Sequence, residues 1–303
     1  MKYHNPIITG FHPDPSVCRV GNDFYLVNSS FEYFPGIPIY HSTDLTHWEQ
    51  IGHVLDRKNQ LKLVSGAPNC LGIYAPTIRY HEGIFYCIVT NVGGRSGGNF
   101  FVYTTDPYGR WSNPVKLPFA GIDPSLFFDE DGRIYYTGTD TGIYIAEITF
   151  DVVRNDTPKR NELPVSIQNV KCGEKHYIWN GSGGNNPEGP HLYRIHDMYY
   201  LMIAEGGTEY CHMVTIARSK NVYGPYEACP HNPVLSNRST CLNIKAIGHA
   251  DLVEDSQGSW WAVCLGIRPL GYPFRHNLGR ETMLAPVKWE NGWPVMGDNG
   301  TVT

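Results

Sequence analysis

The chain has 303 residues, of which 41% are hydrophobic, 13% aromatic and 17% charged. Its formal net charge of −5 argues against a nucleic-acid partner, which normally requires a basic face. No apolar run approaches the roughly 18 residues that a membrane span needs, and the N-terminus lacks the apolar core of a signal peptide. We therefore expect a cytoplasmic protein without a membrane partner, or a secreted or periplasmic one if a signal was trimmed.

The composition favours short strands joined by tight turns. Glycine, proline and tyrosine are abundant, at 32, 22 and 20 residues, which is typical of strand-rich folds with many turns. The 8 cysteines include no Cys-x-x-Cys pair, and several lie inside strand-like segments. The sequence therefore predicts buried, reduced thiols that act as small apolar residues.

One short pattern recurs five times along the chain. In the first copy Asp14-Pro15-Ser16-Val17 leads through a Gly-Asn-Asp turn into Phe24-Tyr25-Leu26-Val27, which is typical of a β-hairpin. The other copies begin at Ala75, Asp123, Glu188 and His249. Each copy is followed by one or two further strand-like segments. Five such units predict an all-β, five-bladed β-propeller over residues 1–303, with no helix of consequence.

The first residues of the five copies predict a functional site. Equivalent positions in the repeats of a propeller converge on the central axis at one depth. Three of these positions carry the carboxylates Asp14, Asp123 and Glu188, and a fourth carries His249. Burial of an unpaired carboxylate is costly, and close like charges raise each other's pKa, so a structural core would not favour this set.

The same residues lie in stretches that resemble glycoside hydrolase family 43, a five-bladed propeller family of β-xylosidases and α-L-arabinofuranosidases. The matching stretches are residues 5–16, 121–126, 187–191, 248–251 and 278–282. The resemblance implies that Asp14 is a general base, that Glu188 is a general acid, and that Asp123 orients this acid and tunes its pKa. Inverting hydrolysis needs such a pair on opposite faces of the sugar, roughly 6.5–9.5 Å apart. Taken singly, Asp14 could be a turn residue and Glu188 a solvated loop residue.

The resemblance also implies a set of substrate-binding residues. Phe31 and Tyr74 resemble the aromatic walls of the sugar pocket, and Arg280 matches an arginine that donates to sugar hydroxyls. The alternative for Arg280 is a structural ion pair with Glu281 or another acid. His249 resembles the family's axial histidine, which holds a water or, in some members, calcium. Calcium prefers several oxygen ligands, and without an Asp-rich loop we prefer a buried, hydrogen-bonded histidine and expect no required cofactor.

These features predict an exo-acting, inverting glycoside hydrolase that releases β-D-xylose or α-L-arabinofuranose from plant cell-wall oligosaccharides. Tyr74 replaces the tryptophan common in the family's β-xylosidases, so the choice of sugar stays open. The alternatives are an endo-acting arabinanase and a non-catalytic sugar-binding propeller. A sialidase-like propeller is disfavoured, because residues 42–48 lack the glycine of an Asp-box and few arginines lie near the axial motifs.

Two further expectations concern the edges of this site and of the chain. The glycine-rich loops at residues 91–99 and 180–186 are expected to border the mouth of the pocket. Many related β-xylosidases carry a β-sandwich domain after the propeller, whereas this chain stops at Thr303. The sequence is compatible with a one-domain member or with a truncated catalytic domain, and it leaves homo-oligomerisation open.

Overall fold

The architecture is a ring of five antiparallel sheets that follow one another along the chain. The computed structural model describes residues 3–63, 68–93 and 97–303. These residues form strands and turns without a helix, and none of their segments is a helix that could cross a membrane. The predicted all-β, five-bladed propeller is therefore confirmed.

The strands of blade 1 are β1 (Ser16–Val20), β2 (Asp23–Val27), β3 (Gly36–Ser42) and β4 (Glu49–Leu55). Blade 2 contains β5 (Gly72–Ile73), β6 (Thr77–His81), β7 (Ile84–Val92), β8 (Gly98–Thr104) and β9 (Val115–Lys116). Blade 3 contains β10 (Ile122–Phe128), β11 (Ile134–Thr139), β12 (Ile143–Arg154), β13 (Val165–Cys172) and β14 (His176–Trp179). Blade 4 contains β15 (Glu188–Ile195), β16 (Met198–Glu205), β17 (Met213–Ser219) and β18 (Glu227–Ala228). Blade 5 contains β19 (Lys245–Glu254), β20 (Trp260–Ile267), β21 (Glu281–Glu290) and β22 (Trp293–Met296).

Three blades have the expected four strands, whereas blades 2 and 3 have five. In blade 2 the short strand β5 pairs with β7 beside β6. In blade 3 the long strand β12 pairs with β14 along its first half and with β13 along its second half. The extra strands arise because one long strand offers an edge to two separate segments.

Apolar packing between neighbouring blades closes the ring. Among the described residues, five clusters of buried side chains each combine residues from two adjacent blades. Blade 1 packs on blade 5 through Val17 and Leu26 against Val263 and Leu284. Each sheet thus buries both of its faces, which explains the continuous apolar runs in strands such as β7 and β20.

The N-terminal segment fastens the first blade to the last. Asn5 donates from Nδ2 to the Leu284 carbonyl at 2.9 Å and accepts the Leu284 N–H at 2.8 Å. Ile8 forms a bridge with Thr282, and the His12 N–H donates to the Arg280 carbonyl at 2.8 Å. The segment that precedes β1 therefore runs along β21 and delivers the chain to the axis beside Arg280.

A buried ion pair joins four of the five blades on the axis. Asp251 of β19 is fully buried, and its carboxylate accepts two bonds from Arg79 of β6, at 2.7 and 3.0 Å. The same carboxylate accepts the Ser16 hydroxyl of β1 and the Tyr193 hydroxyl of β15, both at 2.6 Å. The second Arg79 nitrogen lies 2.9 Å from Nδ1 of His191. Burial raises the pKa of Asp251, but Arg79, His191 and these hydrogen bonds outweigh it and hold the pKa below its ordinary value.

The cysteine prediction is correct for part of the set. All eight cysteines are free thiols, and Cys18, Cys87, Cys229 and Cys264 are buried in strands or between blades. Cys172 is half-buried, whereas Cys70, Cys211 and Cys241 are exposed. The prediction of burial was wrong for these last three because they lie in loops between strands, where no sheet covers them.

We expect Asp251→Asn to lower the free energy of unfolding by about 3–5 kcal/mol, because it leaves the Arg79 guanidinium buried without its counter-charge. Urea unfolding followed by tryptophan fluorescence measures this change. The folded pKa is depressed, so the contribution of the carboxylate is present above its unfolded pKa of about 3.9 and is lost as pH falls through the lowered value. Asp197→Asn, at a side chain 97% exposed, serves as the control and should change stability by less than about 0.5 kcal/mol. Equal stabilities for the two variants at neutral pH would contradict this role of Asp251.

Candidate active site

The backbone at the start of the inner strands aims the axial side chains. Asp14, Asp123 and His249 have φ angles of 52°, 52° and 46°, in the left-handed region. The pairing register shifts next to Asp123, Glu188 and His249, which marks a β-bulge at the start of β10 and β15 and within β19. A bulge bends the strand and redirects a side chain, and bulges are common beside active sites. Aspartate tolerates the left-handed conformation better than most residues, which suits Asp14 and Asp123 to these positions.

The axial residues meet in one pocket at the end of the ring where the inner strands begin. The pocket has a volume of about 360 Å³, within the usual range for small-ligand sites. All seven predicted site residues line it: Asp14, Phe31, Tyr74, Asp123, Glu188, His249 and Arg280. The fifth axial position, Ala75, also faces the pocket and leaves room where a larger side chain would fill the centre.

Asp14 is buried and held from two sides. Its Oδ1 accepts a hydrogen bond from Arg280 at 2.9 Å, and its Oδ2 accepts one from the Ser29 hydroxyl at 2.6 Å. Burial raises the pKa of this carboxyl, but Arg280, His249 and the Ser29 hydrogen bond outweigh burial and lower it below its ordinary value. Each carboxylate oxygen keeps a further lone pair, so an ionised Asp14 can accept a proton from a water in the pocket.

Asp123 and Glu188 form a coupled pair of carboxyls. Burial, the Glu188 charge and the Asp14 charge raise the pKa of Asp123 well above its ordinary value. Burial and the Asp14 charge raise the pKa of Glu188 to about 7, although Arg280 opposes the shift. Asp123 Oδ2 also accepts the Gly189 N–H at 3.1 Å, so it is tied to the residue directly after Glu188. Gly189 has a φ of 60°, and a Cβ there would lie 2.9 Å from the His249 ring, so the close approach requires glycine.

Arg280 and the aromatic wall form the opposite side of the pocket. The Phe31 and Tyr74 rings pack at 5.4 Å between centroids, and the Arg280 guanidinium lies 5.1 Å from the Phe31 ring. A bridge between Phe31 and Ile73 joins blade 1 to β5 and fixes both aromatic residues. Arg280 does not pair with Glu281, which instead accepts two bonds from Arg268 at 2.7 and 2.9 Å. The acidic partner of Arg280 is instead Asp14, a residue of the pocket itself.

His249 faces the pocket from the axis. Burial lowers the pKa of its imidazole, so the ring is neutral at neutral pH. Within residues 3–63, 68–93 and 97–303, no protein group hydrogen-bonds to this ring, unlike the tethered histidine expected from the sequence. The same described residues contain no group of three or more His, Cys, Asp or Glu side chains placed to hold a metal ion.

Sequence reasoning missed several residues at the pocket. Ser29 hydrogen-bonds Asp14, and Thr208 and Cys70 line the cavity. No local signal marks them, because they come from loops that reach the axis only in the folded ring. Of the two loops expected at the mouth, residues 180–186 reach the pocket through Asn186. In the other loop, residues 94–96 lie outside the described residues.

A second cavity lies further along the inner strands. Arg79, which pairs with Asp251, and Tyr193 line this cavity. It shares no lining residue with the pocket that holds the three carboxylates. The two are therefore separate cavities in the part of the chain that the structure describes.

A family model for glycosyl hydrolases family 43 matches residues 3–294. The chain belongs to glycosyl hydrolase family 43. This family 43 chain is 50% identical to the non-reducing end α-L-arabinofuranosidase BoGH43B of Bacteroides ovatus, over 99% of the chain and 54% of that protein. It is 48% identical to a xylosidase/arabinosidase of Butyrivibrio fibrisolvens, over 97% of the chain and 56% of that protein. The crystal structure of a xylan β-1,4-xylosidase from Bacillus halodurans superposes with a TM-score of 0.87, at 38% identity, over 100% of the chain and 58% of that structure.

The family 43 chain thus spans little more than half the length of these relatives. The match covers all five blades and every residue of the pocket. The family therefore accounts for the propeller fold.

We expect Asp14→Asn to lower the pKa of Glu188 below its value of about 7, because the substitution removes a negative charge that raises it. Titration of ¹³C-labelled glutamate carboxyls by NMR measures the midpoint. Asp129→Asn is the control, because Asp129 is also buried but lies in the turn after β10, at the opposite end of that strand from Asp123. A Glu188 midpoint that stays unchanged in Asp14→Asn would mean that the two carboxylates do not interact.

Proposed function

We propose that this protein is an exo-acting, inverting glycoside hydrolase that releases a terminal pentose, α-L-arabinofuranose or β-D-xylose, from plant cell-wall oligosaccharides. The observation that carries the proposal is the set of three carboxylates and one arginine in a single axial pocket. The environments push the pKa values of Asp14 and Glu188 in opposite directions, which is the arrangement expected of a base and an acid.

Asp14 is the proposed general base. Its lowered pKa keeps the carboxylate ionised at neutral pH, ready to take a proton from the attacking water. Arg280 and Ser29 occupy one lone pair on each oxygen, which fixes the plane of the carboxylate. The water then attacks the anomeric carbon from the face opposite the leaving group, and the configuration inverts.

Glu188 is the proposed general acid. With a pKa of about 7 it keeps its proton below neutral pH and loses it as pH rises through that value. The proton passes to the glycosidic oxygen while the bond from that oxygen to the anomeric carbon breaks. Asp123 accepts the Gly189 N–H and so holds the backbone beside the acid. Burial and the Asp14 charge favour the protonated form of Glu188.

The shape of the site supports action at chain ends. A compact pocket on the axis suits a single terminal sugar, whereas an endo-acting enzyme needs a groove that an uninterrupted chain can cross. Glu188 and Asn186 also line a second depression of about 500 Å³ that includes Asp140 and Thr141. Because the acid must face the glycosidic oxygen, the rest of the oligosaccharide would extend into this depression.

The names of the relatives support both pentoses as candidate products. The relative that is 50% identical is named an α-L-arabinofuranosidase, and the one that is 48% identical carries both activities in its name. Tyr74 packs on Phe31 in the aromatic wall of the pocket. A different residue at this position would change the surface that contacts the sugar.

Hydrolysis of para-nitrophenyl α-L-arabinofuranoside and para-nitrophenyl β-D-xylopyranoside should be detectable for the wild type. Asp14→Asn should lower kcat on both substrates by about 10²–10⁴-fold, because no base activates the water. Asp197→Asn, at an exposed position, should leave kcat unchanged. No turnover of either glycoside by the wild type would favour an endo-acting arabinanase or a sugar-binding propeller instead.

Glu188→Gln should reduce kcat strongly on natural disaccharides and far less on aryl glycosides with acidic leaving groups. Such leaving groups depart without protonation, so they need no general acid. Rates for a series of substituted phenyl glycosides measure this dependence on the pKa of the leaving group. The same loss across the whole series would contradict the assignment of Glu188 as the acid.

A further inference from the structure

A buried carboxylate outside the pocket organises the loop that leads to Glu188. Glu205 is the last residue of β16 and is 0% exposed. Its Oε2 accepts the Ser182 N–H and the Ser182 hydroxyl, both at 2.9 Å, and its Oε1 accepts the Gly184 N–H at 2.7 Å. Thr215 of β17 donates its hydroxyl to Oε2 from the other side. Three of these four donors belong to the loop of residues 180–186, which we call the clamp loop.

The glycines of the clamp loop allow its backbone to approach the Glu205 side chain closely. A Cβ at Gly181 would lie 2.5 Å from Glu205 Oε1, and the φ angle there is 79°. A Cβ at Gly184 would lie 2.9 Å from the Glu205 Cβ and 2.6 Å from the end of Met213. The glycine-rich sequence therefore allows the backbone to wrap a carboxylate closely, as in sites where N–H groups bind an anion.

The clamp loop is connected directly to the proposed acid. After the loop, the chain passes through Pro187 into Glu188, whose partner across the sheet is Ala204, the residue before Glu205. The Gly206 N–H, directly after Glu205, donates to the Asn185 carbonyl at 2.7 Å. Glu205 and its neighbours thus hold the chain on both sides of the bend that delivers Asn186 and Glu188 to the pocket.

We infer that Glu205 is a positioning residue, which acts through the clamp loop to hold Glu188 in its half-buried, productive place. This inference rests on the proposed function, in which Glu188 protonates the leaving group. Glu205 does not line the pocket, so it touches neither the sugar nor the reacting atoms. Its effect on the reaction would pass through the backbone of the clamp loop.

The conservative variant Glu205→Gln tests this inference. A glutamine presents N–H groups where the clamp loop already points its own N–H groups, so at least one donor loses its acceptor. The loop should loosen and water should reach Glu188, which reduces the burial that raises its pKa. We expect kcat to fall by up to about 10²-fold on substrates with poor leaving groups. The loss should be smaller on activated aryl glycosides, and the alkaline limb of the pH profile should move to lower pH.

The control separates positioning from general destabilisation. Asp129 is also buried, and it accepts bonds from Tyr199 and Arg194, but it lies away from the clamp loop. Asp129→Asn should lower the melting temperature without changing the alkaline limb or the dependence on the leaving group. Should Glu205→Gln fail to fold, Ser182→Ala removes the one hydrogen bond that the hydroxyl of this exposed residue donates to Glu205 and keeps the backbone N–H, so it should shift both readouts in the same direction, by less.

An assay that needs no turnover distinguishes this inference from the proposed function. NMR titration of Glu188 should give a lower midpoint in Glu205→Gln than in the wild type, whether or not any glycoside is hydrolysed. An unchanged midpoint in folded Glu205→Gln would overturn the positioning role. Inactivity of the wild type on every glycoside, with the midpoint still shifted, would overturn the proposed function and leave the link between Glu205 and Glu188 in place.

Discussion

Charge balance on the axis is the constraint on which the site depends. Deep in the ring, Asp251 and Arg79 neutralise each other and join blades 1, 2, 4 and 5 through shared hydrogen bonds. One layer above, three carboxylates face a single arginine, Arg280. The fold cannot avoid this excess of negative charge, because closure of the ring brings Asp14, Asp123 and Glu188 together on the axis. Protonation of carboxyl groups reduces this excess of negative charge. Because Arg280 favours the ionised form of Asp14, protonation falls on the other two carboxyls.

The division between the proposed base and the proposed acid therefore follows from the position of one guanidinium. Arg280 contacts Asp14 directly, whereas Asp123 and Glu188 sit in surroundings where burial and like charge dominate. An arginine is suited to this place because it stays charged when it is partly buried and can also lie on the Phe31 ring. The N-terminal segment contributes to the same geometry, since it carries the chain along β21 to the residue before Asp14.

The repeated hairpins allowed the propeller and the meeting of its axial residues to be predicted from the sequence. A repeat fixes which positions are equivalent, and ring closure brings equivalent positions together, so Asp14, Asp123, Glu188 and His249 could be grouped without coordinates. Ser29 and Glu205 could not be predicted, because nothing in their local sequence separates them from ordinary strand ends. The partner of Arg280 was also open, since Glu281 next to it is taken by Arg268 only in three dimensions. The additional strands β5 and β14 depend on edges that appear only once β7 and β12 have formed.

On the proposed function, the position of the Asp251–Arg79 ion pair on the axis also bears on the order of product release. On the proposed exo action, the terminal sugar enters the pocket and leaves it through the same mouth. The remainder of the oligosaccharide, which lies outside the pocket, has to depart before the pentose can leave. Free pentose then competes with the next chain end for the same cavity. The residues that join the blades at the centre would thereby also set the order in which the two products leave.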